Sequence, residues 1–149
     1  MLFLSQFKSE KSYNYPGGSD DNAAGLVFYN GWAEWCDSYL AGSAFADYLR
    51  DPNVLGFFSD NEINFSSNSS RILDRFLAIN SSNDPAYVAA KGFMDSKGVQ
   101  SVTDALNNEF AGIVAEKYYK AVKEAVMKVD DKLLYLGLDC MELLNIWRE

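Results

Sequence analysis

Histidine is absent from the 149-residue chain. Its absence excludes Ser-His-Asp and Cys-His nucleophile systems, together with the zinc motifs built on imidazole. Cysteine is scarce: Cys36 and Cys140 are the only two. So far apart, they are read as two buried thiols and not as a disulfide framework, and they leave the compartment open. Basic charge is in short supply, with 13 Lys and Arg against 21 Asp and Glu and a net charge of -8. With no basic stripe to release counterions, nucleic acid and anionic membranes are not expected partners. No run of about 18 apolar residues exists, so no membrane-spanning helix is expected. Met1-Leu2-Phe3-Leu4 is apolar, but Lys8, Glu10 and Lys11 follow too soon for a secretory signal, and localisation stays unassigned.

What is present is apolar and aromatic residue, 48% and 15% of the chain. That suffices for one domain, residues 1–149, with a sizeable core. Neutral polar ligands such as sugars are compatible with the charge.

The stretch Asp51 to Phe65 organises the rest. Asp51 precedes Pro52 and is biased away from the helical region, so a helix stops there. Val54-Leu55-Gly56-Phe57-Phe58 follows as a short apolar run, the pattern of a fully buried parallel strand, Val54 to Ser59. Apolar character then ends in Ser59-Asp60-Asn61-Glu62. A buried strand ending in a polar cluster is how an α/β barrel presents active-site groups.

Elsewhere, residues 1–31 carry little regular pattern. Tyr13 to Asn22 is a loop by its Pro, Gly and Asp content, and Asp20 to Gly25 is read as solvated. Leu2-Phe3-Leu4 is a possible third strand. Trp32 to Leu49 is a helix by its three- and four-residue apolar steps, with Trp32, Trp35 and Tyr39 on the core side. Arg71 to Ile79 is a short helix. Asp84-Pro85 opens another, through Gly98, with a capping residue before a first-turn proline. Ser101 to Leu106 is short, Phe110 to Val129 long. Leu133 to Leu138 reads as a second buried strand, ending in Asp139. The order predicts an α/β fold with a parallel crossover, with residues 63–110 as an inserted helical lobe over the strand ends. Two strands make no self-sufficient parallel sheet, so the chain is read as a segment of a larger one.

Carboxylates cluster at both strand ends: Asp60 and Glu62, then Asp139 and Glu142. Cleavage of a glycosidic bond commonly needs two carboxyl groups, one to protonate the leaving oxygen and one to attack or activate water. Alternation along an extended segment puts Asp60 and Glu62 on one side and Asn61 on the other. Tyr15, in the loop, is a candidate for stacking on a sugar ring.

Asp51 to Glu62 resembles the fourth-strand signature of retaining glycoside hydrolases with a (β/α)8 (TIM) barrel. It is most similar to β-galactosidase-like and β-agarase-like members of glycoside hydrolase families 42 and 50. The likeness extends through Asp84 to Tyr87, Phe110 to Tyr119 and Leu133 to Leu138, roughly residues 40–140. It implies a fragment of the barrel, about strands three or four to five. In those families the Asn-Glu pair ends strand four. Glu62 is then the general acid/base and Asn61 a hydrogen-bond partner of the sugar near its 2-hydroxyl. Asp60, Asp139 and Tyr15 are further substrate-contact candidates. The implied partner is an oligosaccharide or polysaccharide, with no metal or organic cofactor. The families' nucleophile is a second glutamate ending strand seven, with no counterpart here. The chain by itself is therefore expected to be inactive, as a truncated or split gene product. The remainder of the barrel, or further copies of the chain, would cover the sheet. Two other readings are a non-catalytic carbohydrate-binding remnant and a helical protein-interaction domain.

Overall fold

The computed structural model describes residues 3–61, 63, 65 and 71–139, with the side chains of residues 43–45, 61, 138 and 139 outside that description. Its elements are α1 (Phe3–Lys11), two 3-10 segments (Pro16–Gly18 and Asp20–Phe28), α2 (Trp32–Ala41), α3 (Ser43–Leu49), β1 (Gly56–Asn61), α4 (Ile72–Leu77), α5 (Pro85–Lys97), α6 (Asp104–Val129) and β2 (Leu134–Asp139). The chain is mostly helical, with a two-stranded parallel sheet. The parallel pairing is the crossover expected from the sequence.

The N-terminal region is more ordered than its pattern suggests. Phe3, Leu4 and Phe7 lie on one buried side of α1, so Phe3 and Leu4 of the expected third strand are helical, and Leu2 lies outside the described residues. Phe7 meets Trp32 edge-on at 5.3 Å between ring centroids, and Phe3 meets Trp35 at 5.9 Å. Aromatic packing of this kind supports a helix too short to stand alone. Asp20 to Gly25 is likewise no solvated loop. Asn22, Ala24 and Gly25 are buried, and the Asn22 amide donates to the Pro16 carbonyl at 3.1 Å.

The helix expected over 32–49 is two helices, broken at Gly42, whose ψ of 137° leaves the helical region. Glycine is a poor helix former, and the chain turns there. Conversely, the two helices expected over 101–129 are one of 26 residues. Its N-cap is Thr103, whose Oγ1 accepts from the Leu106 N–H at 3.3 Å. The polar Asn107-Asn108-Glu109 hides the continuity. Yet Asn107 is buried, and its Oδ1 accepts from the Leu73 N–H at 3.2 Å. Helix α5 starts as expected: Asp84 Oδ1 accepts from the N–H groups of Ala86 (2.8 Å) and Tyr87 (3.4 Å). One core runs from Phe3 through α2, α4 and α5 to Val126, with α6 along it.

Both strands begin later than expected. In register, Gly56 faces Leu134, Phe57 faces Tyr135, Phe58 faces Gly137 and Asn61 faces Asp139, with irregularities either side of Phe58. Glycine is required at position 56: a Cβ there would lie 2.1 Å from the Leu134 carbonyl oxygen. Gly137 has φ +89°, a backbone that side-chain-bearing residues rarely adopt.

The expectation of fully buried strands fails on one face. Phe58, Leu134 and Leu136 are 51%, 59% and 49% exposed, and Leu55 just before β1 is 78% exposed. The opposite face carries Phe57 and Tyr135, whose rings meet at 5.8 Å and which pack against the helical core. Among the described residues, helices therefore cover one side of the sheet only. Among the described residues no helix is long and apolar enough to cross a membrane, and no group of three His, Cys, Asp or Glu residues could hold a metal ion.

Candidate functional site at the strand ends

Because β1 and β2 are parallel, their carboxyl ends lie at the same edge of the sheet. Asn61 and Asp139 are register partners there, so the structure brings these two candidate residues together. Glu62, Glu142 and Cys140 lie outside the described residues.

Asp60 is placed differently from a sugar contact. It is 5% exposed, and Ser59 beside it is fully buried. Neighbouring strand residues ordinarily point to opposite faces. Here both are taken into the protein, at the irregularity between Phe58 and Asn61. Asp60 Oδ2 accepts a hydrogen bond from the Tyr118 hydroxyl, in mid-α6, and accepts from the Leu4 N–H of α1 at 3.4 Å. The Tyr118 oxygen also lies 2.7 Å from Ser59 Oγ, which in turn lies 2.7 Å from the Tyr135 hydroxyl. A phenol has one proton. With Asp60 ionised, the Tyr118 proton goes to the carboxylate. Ser59 then donates to Tyr118 and Tyr135 donates to Ser59, so all four groups are satisfied.

Burial pushes the Asp60 carboxyl up to about 6, against the lowering effects of the Tyr118 hydroxyl and the Leu4 and Phe3 N–H groups. The Tyr118 phenol is raised by burial first and by the Asp60 charge second. Burial also raises Tyr135.

Tyr15 is half-buried and belongs with α1. Its hydroxyl lies 3.2 Å from Ser5 Oγ, and Lys8 Nζ sits 3.8 Å above its ring. Trp32 and Trp35 are each 4% exposed, which makes them core residues. Trp35 Nε1 donates to Glu10 Oε2 at 2.7 Å, and Trp32 stacks on Tyr118 at 5.6 Å. Cys36 is a buried free thiol, its pKa raised chiefly by burial.

Sequence reasoning missed the roles of Tyr118, Ser59 and Tyr135. Tyr118 reads as one more apolar residue of a helical stripe. The signal available was its hydroxyl, since a buried tyrosine usually finds a polar partner.

No protein-family model and no curated protein matches this chain. Among solved structures, it is similar to the protein of the "Crystal structure of BpGH50", with a TM-score of 0.88 and 54% identity over 93% of this chain. This chain resembles part of a glycoside hydrolase family 50 protein. It spans only 31% of the BpGH50 chain. Of the two families that the strand motif resembles, the structural match falls in family 50. At this identity and TM-score the two chains share one fold over nearly all of the present sequence.

Proposed function

We propose that this chain is a segment of a (β/α)8 glycoside hydrolase catalytic domain of the retaining type, acting on β-galactosides or agar-like galactans. The pairing of Asn61 with Asp139 at one edge of a parallel sheet carries this reading. Asn61 thus ends β1 at the edge where a barrel enzyme displays its catalytic groups, and Glu62 is the next residue in the sequence. Two further observations support it. Helices cover one face of the sheet and leave Phe58, Leu134 and Leu136 open, as in strands whose inner face looks into a barrel. The match to a family 50 protein covers 93% of this chain.

In this mechanism Glu62, as the acid, gives its proton to the glycosidic oxygen as the bond to the anomeric carbon breaks. A carboxylate outside this chain attacks that carbon and forms a glycosyl ester. Glu62, now ionised, takes a proton from water, and the water oxygen displaces the ester and restores both carboxyl groups. Asn61 holds the sugar near its 2-hydroxyl, Asp139 lines the neighbouring strand end, and Tyr15 offers a more remote stacking surface. Residues 63–110 act as a helical lobe over the strand ends. The protein partner is the remainder of the barrel.

The test is a chimera in which this chain replaces the matched segment of BpGH50, assayed on nitrophenyl β-galactosides and agar oligosaccharides. Turnover is expected, and Glu62→Gln should lower it by about 10²–10⁴-fold, the usual worth of a positioned acid/base. A chimera that is inactive on every substrate, or one indifferent to Glu62→Gln, would overturn the assignment.

A further inference from the structure

We propose that Tyr118 and Asp60 form a positioning clamp that holds the carboxyl end of β1 and sets the direction in which its backbone leaves the sheet at Asn61. The clamp's link to sugar recognition rests on the function proposed above; the clamp itself does not.

Three observations meet at one place. First, Ser59 and Asp60 are consecutive in a strand, yet both are buried, at 0% and 5% exposure. Alternation allows this only where the backbone is irregular, and the register shifts between Phe58 and Asn61. An irregularity of this kind re-aims every residue after it. Second, the Tyr118 hydroxyl reaches both residues, as donor to Asp60 Oδ2 and at 2.7 Å from Ser59 Oγ. One phenol oxygen thus spans the irregular step. Third, Asp60 is tied to a separate element through the Leu4 N–H of α1 at 3.4 Å, and Ser59 to β2 through the Tyr135 hydroxyl at 2.7 Å. Three elements, α1, α6 and β2, converge on two residues of β1 immediately before Asn61.

The chemistry suits a fixed strut. Tyr118 is fully buried and stacked against Trp32, so its ring has little freedom. A carboxylate accepting from a phenol forms a short, directional bond. Asp60 therefore acts through the backbone it holds and does not touch the sugar. Sites held by locked second partners keep their geometry better than sites on free loops.

Tyr118→Phe removes the spanning oxygen and leaves the ring. Asp60→Asn keeps an acceptor at the same place. Ser59→Ala removes one arm without altering α6. Amide hydrogen exchange of the 149-residue chain is the primary readout, with calorimetric titration of galacto-oligosaccharides beside it. In Tyr118→Phe, exchange at Ser59, Asp60 and Asn61 should rise at least tenfold, while Val114 and Val122 of α6 change less than threefold. Asp60→Asn should exchange no faster than the parent at any of these amides, and Ser59→Ala should fall between Tyr118→Phe and the parent. Uniform acceleration across α6 and β1, or none at residues 59–61, would overturn the clamp. Where the parent binds the sugar, affinity should drop at least fivefold in Tyr118→Phe and less than twofold in Asp60→Asn. A parent that binds no galacto-oligosaccharide but shows the expected exchange pattern supports the clamp and counts against the sugar reading.

Discussion

The Tyr29 hydroxyl donates to Asp84 Oδ2 at 2.7 Å, while Asp84 Oδ1 caps the first turn of α5. One carboxylate thus starts a helix and fastens it to the N-terminal third of the chain. Desolvation by burial, then the bond to Asp84, raises the Tyr29 phenol above its ordinary value. Asp84→Ala should cost about 2 kcal/mol, the sum of a lost cap and a lost charge-assisted bond. Tyr29→Phe should cost about 1 kcal/mol. Urea unfolding measures both; equal costs would mean that the cap contributes nothing.

Asp60 makes stability depend on pH in an unusual direction. Its folded-state pKa of about 6 lies above the ordinary carboxylate value, so the neutral acid suits the buried site better. The contribution of this group is fully present below about pH 4 and is lost as pH rises through about 6, to a total of roughly 2–3 kcal/mol. Asp60→Asn has no proton to lose. Its stability relative to the parent should therefore improve between pH 4 and pH 7.5 by up to that amount. A gap that stays constant, or moves the other way, would rule out Asp60 as the titrating group.

Gly56 has no room for a side chain. A Cβ would press on the Leu134 carbonyl oxygen at 2.1 Å, and backbone cannot swing aside as a side-chain tip can. Gly56→Ala should cost about 3 kcal/mol and loosen the β1–β2 pairing. Amide exchange at Leu134 is the local check, because its N–H donates to the Leu55 carbonyl at 3.0 Å. Unchanged protection there would refute the steric reading.

The open sheet face separates stability from assembly. Leu136 is 49% exposed, and Leu136→Ser should change the stability of the chain by no more than about 0.5 kcal/mol. In the BpGH50 chimera the same change puts a hydroxyl where the barrel interior is proposed to pack, and should lower its melting temperature clearly. Equal small effects in both would argue against that face being covered.

Much of the architecture was legible from local pattern. Asp84-Pro85 announced α5 because cap and proline chemistry act within one turn. The two strands and their parallel pairing followed from short apolar runs separated by helices. What escaped was decided by distant partners. Helix α1 carries only three buried residues, Phe3, Leu4 and Phe7, and reads as a helix only once the α2 tryptophans are beside it. Gly42 breaks a stripe whose periodicity runs on, and Asn107 continues one that looks interrupted. At the candidate site, the Asn61–Asp139 neighbourhood was implied by two strand ends. The inward turn of Asp60 was not, because strict alternation predicts the reverse and distant partners, Tyr118 and Leu4, 58 and 56 positions away, override it.

The sheet also sets an order of events during folding. Ser59 and Tyr135, which meet across it, are 76 positions apart. Closing so long a loop carries a large entropy cost before any contact offsets it, whereas turns within α5 and α6 close over four residues. Strand pairing therefore follows helix docking. During synthesis β1 emerges long before β2 exists, with Phe58 and both of its edges unsatisfied. For that interval this short strand is the point of the chain most open to pairing with the wrong neighbour.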